Sequence, residues 1–175
     1  MPAVTVTRQE VAQARNDLGA FGKLTGFPME PWQAEALALR KRQTVLVSPR
    51  QAGKSRSLAV LACWWAFRKP NQVVLVISAG ETAAGRLLRA VRDVAAHPLL
   101  HASVEDETKT WVILSNGSQI RCVPASDAQI RGWSVDLLIV DEAAFVPGLL
   151  LASAAIPTTA ARPAAVSPAE MTSTT

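Results

Sequence analysis

The stretch VLVSPRQAGKSRS, Val45 to Ser57, runs from an apolar segment into a small loop, a glycine and a Lys-Ser pair. These residue types in this order suit a polyphosphate. Phosphate oxygens call for converging backbone N–H groups, a helix N-terminus aimed at them, a cation for the β and γ oxygens and a hydroxyl for Mg2+. Gly53 lets the backbone approach closely, Lys54 can bridge β and γ phosphates, and Ser55 can coordinate the metal. The helix expected after them turns its positive end toward the same place. Ser48, Pro49, Arg50, Gln51 and Ala52 make up the rest of this candidate nucleotide-binding loop. It departs from GxxxxGK[ST] at one position, where Ser48 replaces the first glycine. So short a pattern also arises by accident, and its weight comes from context: a strand before it and a helix after it.

A second constellation follows downstream. In DLLIVDEAA, four apolar residues, Leu137 to Val140, carry Asp141 and Glu142 to the C-terminal end of a buried strand, where parallel sheets bind ligands. There Asp141 would hold Mg2+, and Glu142 could orient and deprotonate an attacking water. An isolated Asp-Glu pair is commonly a solvated strand end; beside a phosphate loop it reads as a hydrolytic pair. Other candidates carry less. His97 and His101 are four apart, yet Pro98 breaks the helix that would align them, and no thiolate or third ligand is near. VEDET, Val104 to Thr108, reads as a solvated turn. LRKRQ, Leu39 to Gln43, could touch DNA phosphates, although basic residues at helix ends also answer the helix dipole. Arg131 and Gly132 could form a sensor or a turn.

The elements that must position these residues follow from periodicity. Thr7 and Glu10 have capping-box spacing, and Val11, Ala14, Leu18 and Phe21 then recur every three or four residues, so one amphipathic helix is expected, with Gly22 and Gly26 at its end. Pro31 suits a first helical turn, and Trp32, Ala36 and Leu39 share a face; Trp32 is read as packing. Thr44 to Ser48 is a β-branched apolar run of the kind a buried parallel strand shows. A helix from about Gly53 to Arg68 follows, stopped by Pro70. Val73 to Ser78 repeats the strand signal, and Leu87, Val91 and Val94 mark a helix from Thr82 that Pro98 closes. Asn116-Gly117 is a hairpin signal between two strand-like segments.

Bulk properties agree with a single unit. The 175 residues are 49% hydrophobic, enough for a sizeable core. A formal net charge of +4 is compatible with polyanionic partners. Cys63 and Cys122 stand far apart in apolar surroundings and read as two small buried hydrophobes. The N-terminus lacks a signal-peptide pattern, and LAVLACWWAF is too short to span a membrane, so a soluble intracellular protein is expected.

In order and spacing, PWQ upstream, SPRQAGKS with an arginine inside the loop, and LLIVDEAAFVP resemble the ATPase domain of phage terminase large subunits, the motors that package viral DNA. The likeness spans about residues 26–147. It implies an α/β domain of RecA-like, ASCE type, a P-loop NTPase with a mainly parallel sheet and flanking helices. It also implies ATP and Mg2+ as substrate and cofactor, with Gln33 reading the adenine edge. Arg50 matches the arginine held to act on the γ-phosphate, its plainer alternative being a surface cation. On this resemblance Glu142, Lys54 and Arg50 are the catalytic residues, Gln33 and Ser48 to Ser55 bind nucleotide, and Ser55 and Asp141 hold the metal. Duplex DNA, a terminase small subunit and a portal are the implied partners, in the cytoplasm of a bacterial host and with no membrane; self-association stays open.

The family pattern continues into a coupling strand ending in Ser or Thr and then into a nuclease domain. ARPAAVSPAEMTSTT offers no apolar strand of adequate length and few acids for nuclease metals. In sheets of this class the coupling strand lies between the phosphate-loop strand and the Asp-Glu strand, so its loss would open a gap at the sheet centre. Either the tail fills part of that gap or the chain is a truncated remnant, and the change of composition after Leu151 favours the remnant. The expected organisation is a partial, incomplete ATPase domain over 1–150 and a poorly ordered tail over 151–175. Two rivals remain. A helicase-like ATPase shares DEAA but needs a second RecA-like domain, for which 175 residues leave no room. A nucleotide-binding module without turnover would retain the loops alone.

Overall fold

The computed structural model describes residues 6–39, 43–49, 51–108, 110–126, 130, 132–159 and 165–170. Arg50, Arg131 and the basic trio Arg40, Lys41 and Arg42 lie outside the described residues.

Thr7 closes both halves of the expected capping box: the Glu10 N–H donates to the Thr7 hydroxyl at 3.2 Å, and the Thr7 N–H donates to the Glu10 carboxylate at 2.8 Å. The single helix expected through Phe21 is instead two. Helix α1 spans Arg8–Asn16 and α2 spans Leu18–Leu24. Between them Asp17 is extended (φ −128°, ψ 119°), and its carboxylate accepts from the Ala20 N–H at 2.5 Å. A short acidic side chain that caps the next turn competes with continuing the helix. Helix α3, Pro31–Ala36, starts on its proline as expected but stops before Leu39, which is left-handed at φ 50°.

Strand β1, Leu46–Val47, leads through the loop into helix α4, Lys54–Arg68, which ends one residue before the Lys69-Pro70 pair. Strand β2 is Val73–Ser78, helix α5 Glu81–Ala95 and helix α6 Pro98–His101, so Pro98 opens a short helix as well as closing a long one. The His97 ring caps that short helix, its Nδ1 accepting from the Leu99 N–H. Strands β3 (Val104–Glu107), β4 (Trp111–Leu114) and β5 (Gln119–Pro124) form an antiparallel meander. Its β4–β5 turn uses Asn116-Gly117, with Gly117 at φ 79°. VEDET is therefore a strand and not a turn: as the outermost strand β3 tolerates acids, which also discourage edge pairing.

Strand β6, Leu137–Val140, is buried throughout. After it come short helical turns at Ala143–Phe145, Gly148–Leu150, Leu151–Ala155 and Ile156–Thr159, and then strand β7, Ala165–Glu170. The sheet order is β1-β7-β6-β2-β5-β4-β3, with the pairs from β1 to β5 parallel. The expectation of no strand in ARPAAVSPAEMTSTT thus fails: Ala165–Glu170 occupies the place between β1 and β6 where a gap was anticipated. Pro168 stands opposite Val140 in that ladder, where a proline surrenders one backbone donor, so local propensity argues against the strand that long-range pairing makes. The buried strand expected over Thr44 to Ser48 is also shorter and more open. Val45 and Val47 are 57% and 53% exposed, because β1 is the edge of the sheet.

Period-two alternation splits the core between the two sheet faces. Val74, Val76, Leu137 and Ile139 join one apolar cluster with α4 and α5, while Leu75, Ile77, Leu138 and Val140 join another with Ile130, Val135 and Ala143. Trp64 on α4 donates to the Ala14 carbonyl at 3.0 Å and so ties α1 to this framework. Both cysteines are buried, and burial pushes their thiols up, Cys122 to about 12. Among the described residues no helix is long and apolar enough to cross a membrane.

Candidate functional site

Parallel pairing brings the ends of β1, β6 and β2 to one edge of the sheet, and the candidate residues gather there. Gly53 has φ 77° and ψ 15°, a left-handed conformation that glycine adopts without steric cost, and it turns the loop into the first turn of α4. A Cβ at this position would stand 3.0 Å from Gln33 Nε2. Gln51 is also left-handed, at φ 62°.

Gln33, on α3, braces the loop from beneath. Its Nε2 donates to the Ala52 carbonyl at 2.7 Å, and its Oε1 accepts from the Glu30 N–H at 2.9 Å. Its amide therefore spans the helix N-terminus and the loop, a bracing contact the sequence reading did not contain. Lys54 is buried, and its ammonium donates to the Ser48 and Pro49 carbonyls, both at 2.7 Å. A buried ammonium needs acceptors, and the loop's own carbonyls supply two of them.

Ser55 Oγ lies 3.5 Å from Asp141 Oδ2 and donates toward it, across 86 residues of sequence. The Asp141 N–H donates to the Ile77 carbonyl at 2.8 Å, which fixes this acid at the junction of β6 and β2. Asp141 is only 6% exposed. Burial and then the adjacent Glu142 push its carboxyl above the ordinary aspartate value, while the Glu142 backbone, the Ser55 hydroxyl and the Lys54 ammonium pull it back. Glu142 has a left-handed backbone, φ 56° and ψ 43°, at the turn leading into Ala143–Phe145. Such a conformation is costly for a side-chain-bearing residue and concentrates at functional sites.

Two buried hydroxyls near this edge, Ser48 Oγ and Ser78 Oγ, have no hydrogen-bond partner among the described residues. Ser48 is among the sequence candidates. Ser78 is not, although a serine closing the otherwise apolar VVLVIS was the available signal. Ser55 Oγ and the Asp141 carboxylate are hard oxygen donors of the kind Mg2+ prefers, and a cation there would relieve the buried acid. Among the described residues no cluster of three His, Cys, Asp or Glu side chains could hold a metal, so His97 and His101 are not joined by a further ligand.

Fold and site together define a class: a mainly parallel α/β domain flanked by helices, with a loop-to-helix turn and an acidic strand end facing one another. Residues 45–155 match the family described as terminase large subunit, T4likevirus-type, N-terminal, and the chain belongs to that family. Among solved structures it is similar to the large terminase ATPase domain of Thermus phage P74-26, with 21% identity over 86% of this chain and 67% of that one and a TM-score of 0.74. The large terminase of bacteriophage HK97 matches at 16% identity, 90% and 37% coverage and a TM-score of 0.76. A large terminase from a thermophilic bacteriophage matches at 15% identity, 82% and 39% coverage and a TM-score of 0.61. At these identities the likeness is one of fold, the mainly parallel, RecA-like α/β fold that the family resemblance implies. The chain spans about two thirds of the Thermus phage domain and under two fifths of the other two terminases.

Proposed function

We propose that this domain binds Mg-ATP in the Ser48 to Ser55 loop and hydrolyses it, as the ATPase part of a motor that moves duplex viral DNA. One observation carries the reading: Ser55 Oγ and Asp141 Oδ2 stand 3.5 Å apart at the strand ends, beside the buried Lys54. That is the juxtaposition a metal-bound triphosphate requires.

In this reading Gly53 and its neighbours Pro49, Gln51 and Ala52 offer backbone groups and close approach, and Ser48 adds a buried hydroxyl. Lys54 exchanges its two loop carbonyls for β and γ oxygens. Gln33 serves first as the brace that presents Ala52, and its remaining amide valences are open to an adenine edge. Ser55 and Asp141 would hold Mg2+, which when bound supplies charge neutralisation at the phosphate oxygens. Glu142 orients the attacking water and accepts its proton, and Arg50 neutralises charge developing on the γ-phosphate. Family membership supports duplex DNA, a terminase small subunit and a portal as partners, and action in the host cytoplasm.

The test is phosphate release from Mg-ATP with and without duplex DNA, for the wild type beside Lys54→Ala and Glu142→Gln. Hydrolysis abolished by both substitutions, with nucleotide binding retained in Glu142→Gln, is the expected result. Nucleotide binding without phosphate release from the wild type would replace this reading with a binding module lacking turnover. Hydrolysis that survives both substitutions would refute the assignment.

A further inference from the structure

At the far end of α4, on the order of 20 Å from Lys54 at 1.5 Å per residue, a second feature is unrelated to phosphate chemistry. A cavity of about 180 Å³ opens between α1, α2, α4 and α6. Its walls are apolar, with Phe21 and Trp64 inside and Val11 and Leu99 at its lip, 45% and 39% exposed. Among the described residues its charged lining residues are Arg15 and Arg68, and none is a carboxylate. The Arg68 guanidinium carbon lies 4.4 Å from the Trp64 ring centroid and 3.7 Å from that of Trp65. Stacking on ring faces fixes the plane of the guanidinium and occupies none of its in-plane donors. Arg68 Nε is buried with no acceptor among the described residues.

An apolar pocket lined by two arginines is complementary to a ligand that pairs an apolar side chain with an anion. We propose that this groove docks an acidic peptide segment of a partner protein, an aromatic or aliphatic side chain entering the cavity and an adjacent carboxylate engaging Arg15 and Arg68. Charge complementarity selects the anion, and planar guanidinium groups suit bidentate carboxylates. The apolar walls favour a peptide over nucleic acid, because a phosphate backbone would satisfy the arginines and leave the pocket unfilled. This site does not depend on nucleotide turnover at the other end of the helix.

The test is fluorescence anisotropy with the full chain and a short fluorescein-labelled peptide in which a phenylalanine-leucine pair is flanked by glutamates, beside a counterpart carrying lysines in their place. Saturable binding of the acidic peptide alone is expected. Arg15→Glu and Leu99→Asp, both at exposed positions, should each weaken it about tenfold, whereas Arg89→Glu, exposed on α5 outside the groove, should change it by less than about twofold. The far-UV circular dichroism of all three variants should match the wild type. Absence of binding, equal binding of the lysine peptide, or equal loss in Arg89→Glu would overturn the proposal. Displacement of the peptide by a duplex oligonucleotide that itself depends on Arg15 would also overturn it, in favour of nucleic acid.

Discussion

Asp141→Asn should make the nucleotide-free protein more stable while removing its response to Mg-ATP. The carboxylate is 6% exposed, sits beside Glu142, and gains only partial compensation from Ser55 and Lys54. Taking such a charge out of water costs several kcal/mol before compensation. Each kcal/mol of penalty left uncompensated corresponds to a gain of roughly 2–4 °C in melting temperature for a chain of this size. Because the folded-state value lies above the unfolded one, folded protein holds more proton than unfolded protein between the two, and stability falls as pH rises through that window. The advantage of the asparagine is therefore full above the raised folded value and closes as pH falls through it toward the ordinary aspartate range. Mg-ATP should reverse the order, because ligand at a hundredfold excess over its dissociation constant adds about 2.7 kcal/mol to a competent site. Differential scanning fluorimetry across pH, with and without Mg-ATP, reads both effects. An asparagine variant less stable than wild type without nucleotide, or equally stabilised by Mg-ATP, would refute the reasoning.

Two further substitutions probe the loop's supports. Gln33→Ala removes the 2.7 Å bond to the Ala52 carbonyl and the 2.9 Å bond from the Glu30 N–H, so a loss of about 2 kcal/mol and a melting temperature lower by roughly 4–8 °C are expected, with weakened binding of a fluorescent ATP analogue. Gly53→Ala places a Cβ on a left-handed residue and 3.0 Å from Gln33 Nε2. It should cost about 1 kcal/mol or more by chemical denaturation, together with loss of nucleotide affinity; a neutral result would mean that the loop does not hold this conformation in solution.

Features set by short-range physics are legible in the sequence. Thr7 and Glu10 close their box because both partners lie within one helical turn, and Asn116-Gly117 turns the chain wherever its strands end up. The apolar run Leu137 to Val140 can satisfy its side chains only by burial, so the strand carrying Asp141 and Glu142 is legible too. Asp17 is less so: the periodicity running through it is that of a helix, and only the competition between capping and continuation divides α1 from α2. Gln33 is legible as a candidate but its bond to Ala52 is not, because nothing local connects residues 19 apart.

The sequence by itself determined the chemical inventory and the loop-to-helix turn: Lys54, Ser55, Asp141 and Glu142, with the residues that punctuate each element. Tertiary structure alone decided that β7, carrying Pro168, fills the space between β1 and β6, that β1 keeps an open edge, and that Ser55 meets Asp141 across 86 residues. The physical reason is that ladder hydrogen bonds join backbone groups common to nearly every residue. Side-chain patterns therefore disclose which segments can be strands, while the choice of neighbour rests on which pairing buries the apolar faces and leaves the fewest backbone groups unsatisfied.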